Sequence, residues 1–273
     1  ANQVEAQQAL AQWRQLHDSL VELGVVVELV EQTDSVPDMT FTANAGIVAG
    51  RRFIPANFRF PERQPEAALF TEWFEQRGYL VQTIHQPHYW EGEGDVLPAD
   101  EEVFAGYRFR TEDRALDHLD ELLGTDVQRL ELIDPRYYHL DTCFCPLGGG
   151  RLLYYPPAFT DEGRRVIQQH FSDTIAVPDD DAARFACNAL VVDGSVVLNT
   201  GCDSTAAELR TRGFRVVETP TDVEEWREWT GLPFDTTGPV VVPGALAPVM
   251  CDAEHGTATY VEPNVWVRHP TGA

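Results

Sequence analysis

The sequence predicts an α/β protein assembled from repeated ββαβ modules, on three observations. The same order of elements recurs four times along 273 residues. Equivalent points in the four copies, Gly46, Gly94, Leu147 and Leu190, lie 48, 53 and 43 residues apart. Each copy opens on two short apolar runs with a glycine-containing hairpin between them. Near-equal modules of this size point to a closed ring or an array rather than a doubly wound sheet.

The elements follow in order. NQVEAQQALAQWRQLHDSLVELGVVVELVEQ supplies a helix and a strand, a unit whose opening hairpin is missing. FTANAGIVAGRRFIPANF reads as strand, turn, strand; PERQPEAALFTEWFEQRGY as a helix closed by Gly78; LVQTIHQ as a short strand. The second module runs GDVLPADEEVFAGYRF, the helix TEDRALDHLDELLG, then VQRLELI. The third runs TCFCPLGGGRLLYYPPAF, DEGRRVIQQHF, TIAVP, and the fourth NALVVDGSVVLNT, STAAELRTRGF, VVETP. A ring must be closed by the chain ends, because an unpaired inner edge invites aggregation. The strand-like PVVVPGALAPVM and TATYVEPNVWVRH are expected to complete the first unit.

Composition limits the function classes. Forty-four acids face twenty bases, all of them arginine, for a net charge of -24. Such a charge argues against nucleic acid or an anionic membrane as partner. The acids are spread along the chain, which fits adaptation to a salty interior better than a local ligand field. No apolar run approaches the roughly 20 residues of a membrane helix, and a cytoplasmic protein is expected. Five cysteines, an odd number without a secretion signal, suggest free thiols in a reducing compartment. The Cys143-x-Cys145 pair has no second pair at ligand spacing, so no metal is expected there; Cys143, Cys145 and Cys202 read as core.

A polar cluster lies just before or at the first strand of each module: Asp38 and Asn44; Glu91, Glu93 and Asp95; His139 and Asp141; Asn188. In a cyclic repeat, equivalent positions converge on the axis, so these side chains are expected to surround one cavity. HLD occurs twice and provides a control. His118-Leu119-Asp120 falls in a helical stripe, where the histidine faces water. His139-Leu140-Asp141 is expected on a strand, with the imidazole and carboxylate sharing a face. Glu93 reads as a solvated turn acid, Asp38 as a turn cap, and Asn188 as a residue that holds backbone.

FTANAG, FRFPERQ, EGEGD, HLDTCFCPL and FACNA together resemble the guanidine-modifying enzymes of the pentein superfamily. The likeness runs from about Gln7 to Trp226 and is greatest to the arginine dihydrolase and dimethylarginine dimethylaminohydrolase-like branch, which carries FTANAG where arginine deiminases carry an aspartate. The resemblance implies a five-bladed α/β propeller over residues 1–273, with the first blade incomplete at the N-terminus and an atypical segment at 230–273. It implies hydrolysis of arginine or a methylated arginine through a cysteine adduct, releasing ammonia or methylamine. Glu91 and Asp95 would hold the planar cation. His139 would protonate the leaving group and activate water, with Asp141 orienting it. Asn44 would contact the guanidinium and Arg63 the α-carboxylate. Neither cofactor nor metal is expected; the partner is a small guanidino amino acid, and homo-oligomerisation is compatible with this class.

Two departures stand out. Relatives begin with a strand and an Asn-Pro-Trp segment, whereas this chain opens at the first helix. They also place the nucleophile in a small-residue segment after the fourth module, running into Lys-Cys-Leu; here that stretch reads REWTGLPFDTTGPVVVPGALAPVMC. Cys251 is the candidate nucleophile, although Asp252 and Glu254 beside it would raise a thiol pKa. An amidinotransferase, and a catalytically silent binder of arginine-like ligands, are the competing readings.

Overall fold

A hairpin forms where two apolar runs are joined by residues that tolerate positive φ. In the fourth module Asp193 and Gly194 do this at φ 46 and 75. In the second the turn residue is Asp100 at φ 52, not the glycine that the sequence pattern suggested. The computed structural model describes residues 6–30, 36–84 and 87–220, and the strand segments 250–252, 257–259 and 265–268.

The chain opens with α1 (Ala6–Glu22) and β1 (Val26–Leu29). The first module is β2 (Gly46–Ala49), β3 (Arg52–Pro55), α2 (Gln64–Gln76) and β4 (Leu80–Val81). The second opens on a helical turn, α3 (Gly92–Asp95), before β5 (Val96–Ala99), β6 (Glu102–Tyr107), α4 (Asp113–Leu123) and β7 (Val127–Glu131). The third is β8 (Phe144–Gly148), β9 (Arg151–Tyr154), α5 (Asp161–His170) and β10 (Asp173–Ala176). A turn of helix, α6 (Asp179–Ala182), leads to β11 (Leu190–Val192), β12 (Ser195–Asn199), α7 (Asp203–Thr211) and β13 (Arg215–Thr219).

The four three-stranded sheets share one topology. The second strand is central, antiparallel to the first and parallel to the third. The parallel pairing requires the crossover that each helix provides. Isolated bridges Asn57–Trp90 and Leu132–Phe159 link neighbouring modules. Near the end of the chain, β14 (Met250–Asp252) pairs with β15 (Thr257–Thr259), and β16 (Val265–Arg268) pairs antiparallel with β1. The C-terminal strand therefore does meet the first unit. Its sense differs from the parallel pairing that the other modules give their third strand.

Burial decides which face each helix turns inward. In α4, Ala115, Leu116 and Leu119 are buried while Asp113 and Asp117 stay exposed. One buried leucine contributes about 1.5–3 kcal/mol, more than the helix-propensity differences along the segment. Phe74 of α2 stacks on Phe53 of β3, ring centroids 3.8 Å apart. Modules two to four share one continuous core, running from Leu97 and Phe104 through Phe144, Phe159 and Phe171 to Leu198 and Leu209.

One expectation about local structure is corrected. The polar clusters lie just ahead of the first strands, as expected, but on short helical turns, so His139 and Asp141 are not strand residues. Thr42–Ala45 and Leu140–Thr142 are 3-10 turns, and Gly92–Asp95 is a turn of α-helix. His139 is extended, but Asp141 lies inside the turn, so the two do not alternate as strand neighbours. Four-residue turns have no periodicity to detect, and a neighbouring apolar run makes them resemble the start of a strand.

Gly46 marks where a turn meets its strand most tightly: a Cβ there would lie 2.3 Å from the Ile54 carbonyl oxygen and 2.5 Å from the Phe53 ring. We expect Gly46→Ala to destabilise the protein by about 1–3 kcal/mol in urea unfolding. Gly163→Ala serves as a control, because its Cβ would meet only ordinary contacts of 3.4–3.9 Å; it should be neutral or slightly stabilising.

Candidate active site

The three turns project their polar residues toward one another. His139, from the third module, lies between two carboxylates of the second: Nδ1 is 3.2 Å from Asp95 Oδ2, and Nε2 is 3.4 Å from Glu91 Oε2. Asn44, from the first module, brings Nδ2 to 3.5 Å from His139 Nε2. The Nδ1–Asp95 approach has ion-pair distance without hydrogen-bond alignment, so Nδ1 is a buried polar atom with no hydrogen bond. Asn44, Glu91, Asp95 and His139, four of the residues singled out in the sequence, thus form one buried cluster.

The EGEGD motif owes its glycines to this convergence. Gly92 has φ +57, and a Cβ on it would come within 2.6–2.8 Å of backbone atoms of Ala43, Asn44 and Gly46. A Cβ on Gly94 would lie 2.0 Å from Asn44 Nδ2 and 3.3 Å from His139 Nδ1. Only glycine lets the α3 turn lie against the Asn44 turn.

Burying carboxylates requires partners. Asp95 Oδ2 accepts from the Thr111 hydroxyl at 2.6 Å, and Oδ1 from the Leu140 N–H at 3.1 Å. Glu91 Oε1 accepts from the Arg59 N–H at 3.3 Å, and Oε2 from Arg110 Nη1 at 3.2 Å. Burial pushes Glu91 upward, but the charges of His139, Arg110 and Arg63 outweigh it and hold its carboxyl below the ordinary range. The Arg110 guanidinium lies over the Phe60 and Tyr138 rings, 4.6 and 4.5 Å from their centroids.

Arg63 is buried and bound to Glu66 through two 2.9 Å bonds. Burial would lower the guanidinium pKa, but Glu66 reverses that. Burial also pushes Glu66 upward against Arg63's pull; the two-pronged geometry is that of an ion pair. Asp141 is buried with Oδ1 unpaired. Burial pushes its carboxyl up to about 7, with His139 opposing and Asp95 reinforcing the shift. Asn188 Nδ2 donates to the Asp141 carbonyl at 3.2 Å, the backbone-holding role expected of it. The half-buried Asp38 lies inside the 3-10 turn Pro37–Thr40 rather than capping it: Val36 holds the cap position without a side-chain bond, and the Asp38 carbonyl accepts from the Phe41 N–H at 2.9 Å.

Glu93 requires correction. It is not a solvated turn acid but 4% exposed, accepting a bond from the Val48 N–H at 3.2 Å. Burial pushes its carboxyl well above the ordinary range. Arg110, Thr111 and Glu66 belong to the site and were not singled out in the sequence. An arginine after an aromatic and a glutamate in a helix look like surface residues until their partners are known. The helical His118 is half-buried, its ring 6.4 Å from that of His88.

The four described cysteines, Cys143, Cys145, Cys187 and Cys202, are free and buried. Burial raises all four thiols, Cys145 and Cys202 to about 12. None of them is set up as a thiolate. Cys251 belongs to β14, but its side chain lies outside the described residues, as does the stretch 221–249 that precedes the strand.

Formal charges summarise the cluster. Arg63 is matched by Glu66 and Arg110 by Glu91, leaving Asp95 and Asp141 beside His139 without an arginine partner. Among the described residues no group of three or more His, Cys, Asp or Glu side chains could hold a metal ion.

Comparison with known proteins is decisive about kinship. A family model described as "N,N dimethylarginine dimethylhydrolase, eukaryotic" matches residues 1–208. The chain belongs to this family. It is 42% identical to the N(G),N(G)-dimethylarginine dimethylaminohydrolase of Mycobacterium tuberculosis over 214 residues, which cover 78% of this chain and 70% of that protein. It is 43% identical over 219 residues to ArgZ of Synechocystis, a bifunctional arginine dihydrolase/ornithine cyclodeaminase; there the match covers 78% of this chain but 31% of the relative. Crystal structures of the N-terminal domain of ArgZ superpose with a TM-score of 0.76 at 42–43% identity, covering 78% of this chain and 80% of that one. One is covalently bound to a reaction intermediate; another is a cysteine-to-serine mutant bound to substrate. The family match ends before Cys251.

A carboxyl with a raised folded pKa contributes stability that is complete below its unfolded value of 3.8 and is lost as pH rises toward about 7. Asparagine mimics the protonated form. Asp141→Asn should therefore match the wild-type unfolding free energy in urea near about pH 4 and exceed it near about pH 8, by at most about 4 kcal/mol at ~1.36 kcal/mol per pKa unit. A gap that fails to widen with pH would exclude Asp141 as a buried proton holder.

Proposed function

We propose that this chain is a hydrolase acting on the guanidinium group of arginine or a methylated arginine, on a five-bladed propeller of the pentein type. The single observation that carries this reading is the buried contact of His139 with Glu91 and Asp95. It puts an acid–base group beside paired carboxylates that suit a planar cation. The names of the relatives, and the covalent intermediate captured in one of them, support the reaction class.

Glu91 and Asp95 hold the guanidinium, with Asn44 contributing a neutral contact. Arg63 enters as the expected partner of the α-carboxylate, with one Nη1 hydrogen left for it. A cysteine thiolate attacks the guanidinium carbon, forming a C–S bond. His139 protonates the departing nitrogen, and ammonia or methylamine leaves. The same imidazole then takes a proton from the water that attacks the thiouronium carbon. The C–S bond breaks, and the thiolate returns. The buried thiols of the described residues are unsuited to this step, which leaves Cys251 as the nucleophile in this proposal. The four described modules and the β1–β16 pairing support ring closure by the chain ends.

Purified protein incubated with arginine and with dimethylarginine should release citrulline or ornithine together with ammonia or a methylamine. His139→Ala should lower kcat by roughly 10²–10⁴-fold, the range for loss of one acid–base group. Cys251→Ser should abolish turnover and labelling by a chloroacetamidine thiol probe. Activity untouched by Cys251→Ser would remove that residue from the mechanism. Tight arginine binding without turnover would identify a silent binder.

A further inference from the structure

A primary amide beside an imidazole can offer it either a donor or an acceptor, and the two orientations favour opposite proton positions on the ring. Asn44 faces this choice at His139. Arg63 makes it: Nη1 donates to Asn44 Oδ1 at 2.9 Å, which leaves Nδ2 facing His139 Nε2. A flipped amide would set two N–H donors against each other on the Arg63 side.

Arg63 is itself immobilised. Nε and Nη2 bind Glu66 Oε1 and Oε2, each at 2.9 Å, and Nη2 also donates to the carbonyls of Phe41 and Asp38 at 3.1 and 3.3 Å. The Phe58 ring covers the guanidinium at 4.5 Å. Glu66 is fully buried. The arrangement forms a continuous chain, Glu66 to Arg63 to Asn44 to His139, in which each link fixes the next.

We propose that Glu66 and Arg63 are positioning residues: they lock the Asn44 amide with its NH₂ toward His139, so that the neutral imidazole keeps its lone pair at Nε2 and its proton at Nδ1. Nδ1 faces Asp95. The other groups around the ring are consistent with this. Glu91 Oε2, 3.4 Å from Nε2, would favour a proton there, but that oxygen already accepts from Arg110. The Tyr138 ring centroid lies 5.0 Å from that of the imidazole, and Asp141 acts on it through charge. The importance of this chain for catalysis rests on the function proposed above; the position of the proton is a property of the ligand-free protein and does not.

The test uses the full ¹⁵N-labelled chain. Long-range ¹H–¹⁵N spectra at alkaline pH, where imidazoles are neutral, report the His139 tautomer, with His139→Gln identifying its signals. Wild type should show the Nδ1–H form. Glu66→Gln keeps the shape of the pair but loosens it. Arg63→Met combined with Glu66→Leu removes both charges together and leaves no buried ion alone. In either variant the Nε2–H form should grow as the Asn44 amide becomes free to flip. A wild-type Nε2–H imidazole, or an unchanged tautomer in the folded double variant, would overturn the proposal.

A kinetic arm separates positioning from substrate contact, using arginine and 4-aminobutylguanidine, its analogue without a carboxylate. Positioning predicts that kcat falls for both substrates by a similar factor, roughly 10–100-fold and within the contribution of one acid–base group, with KM for 4-aminobutylguanidine little changed. A KM rise confined to arginine with kcat for 4-aminobutylguanidine unchanged would leave Arg63 a carboxylate clamp alone and overturn the proposal. If wild type turns over neither substrate, the proposed function fails, and the spectra still decide the position of the proton.

Discussion

An imidazole held between two carboxylates, out of water, is the constraint around which the rest of the site is organised. Removing an ion from water costs several kcal/mol even after relaxation, so Glu91 and Asp95 persist there only with dedicated partners. Each carboxylate is served by a backbone N–H: Arg59 for Glu91 and Leu140 for Asp95. Each also has a side-chain donor, Arg110 and Thr111 respectively. Those partners come from segments far apart in the chain. The site and the packing of the modules are therefore one construction.

Backbone geometry makes the meeting possible. Side chains as short as those of Asn44 and Asp95 reach a common point only if their backbones nearly touch. Gly92 and Gly94 remove the atoms that would keep the turns apart. The turns carry their polar side chains just ahead of the first strands, so the strands behind them can remain apolar. Ile47, Leu97, Phe144 and Leu190 are the fully buried residues of those strands in the four modules.

The overall charge of -24 acts at a different level. Ion pairs such as Arg129 with Asp113, Asp117 and Asp120 lie at the surface, where a pair is worth about 0–1 kcal/mol. They keep an acidic surface ordered without holding the fold, which rests on the apolar core. The acidity that concerns the site is local: it lies in Asp95 and Asp141, the acids beside His139 that neither Arg63 nor Arg110 pairs with.

The module order, the helices and the hairpins were legible in the sequence, because each leaves a local signal: a 3.6-residue stripe in α4, or Asp193-Gly194 between two apolar runs. So were the members of the central cluster, since equivalent positions in a repeat return to equivalent places. The helical turns that carry them were not legible, because four residues are too few to show a period, and His139 and Asp141 were accordingly assigned to a strand. Glu93 looked solvated for a related reason. An acid between glycines resembles a surface turn until the Val48 N–H is found to lie against it. Repetition and local patterning thus determined the architecture and which residues would meet. Which way each side chain points, and which charge cancels which, was decided only by the tertiary structure. Arg63 with Glu66 and Arg110 with Glu91 became pairs through packing and desolvation, which depend on atoms that sequence spacing does not locate.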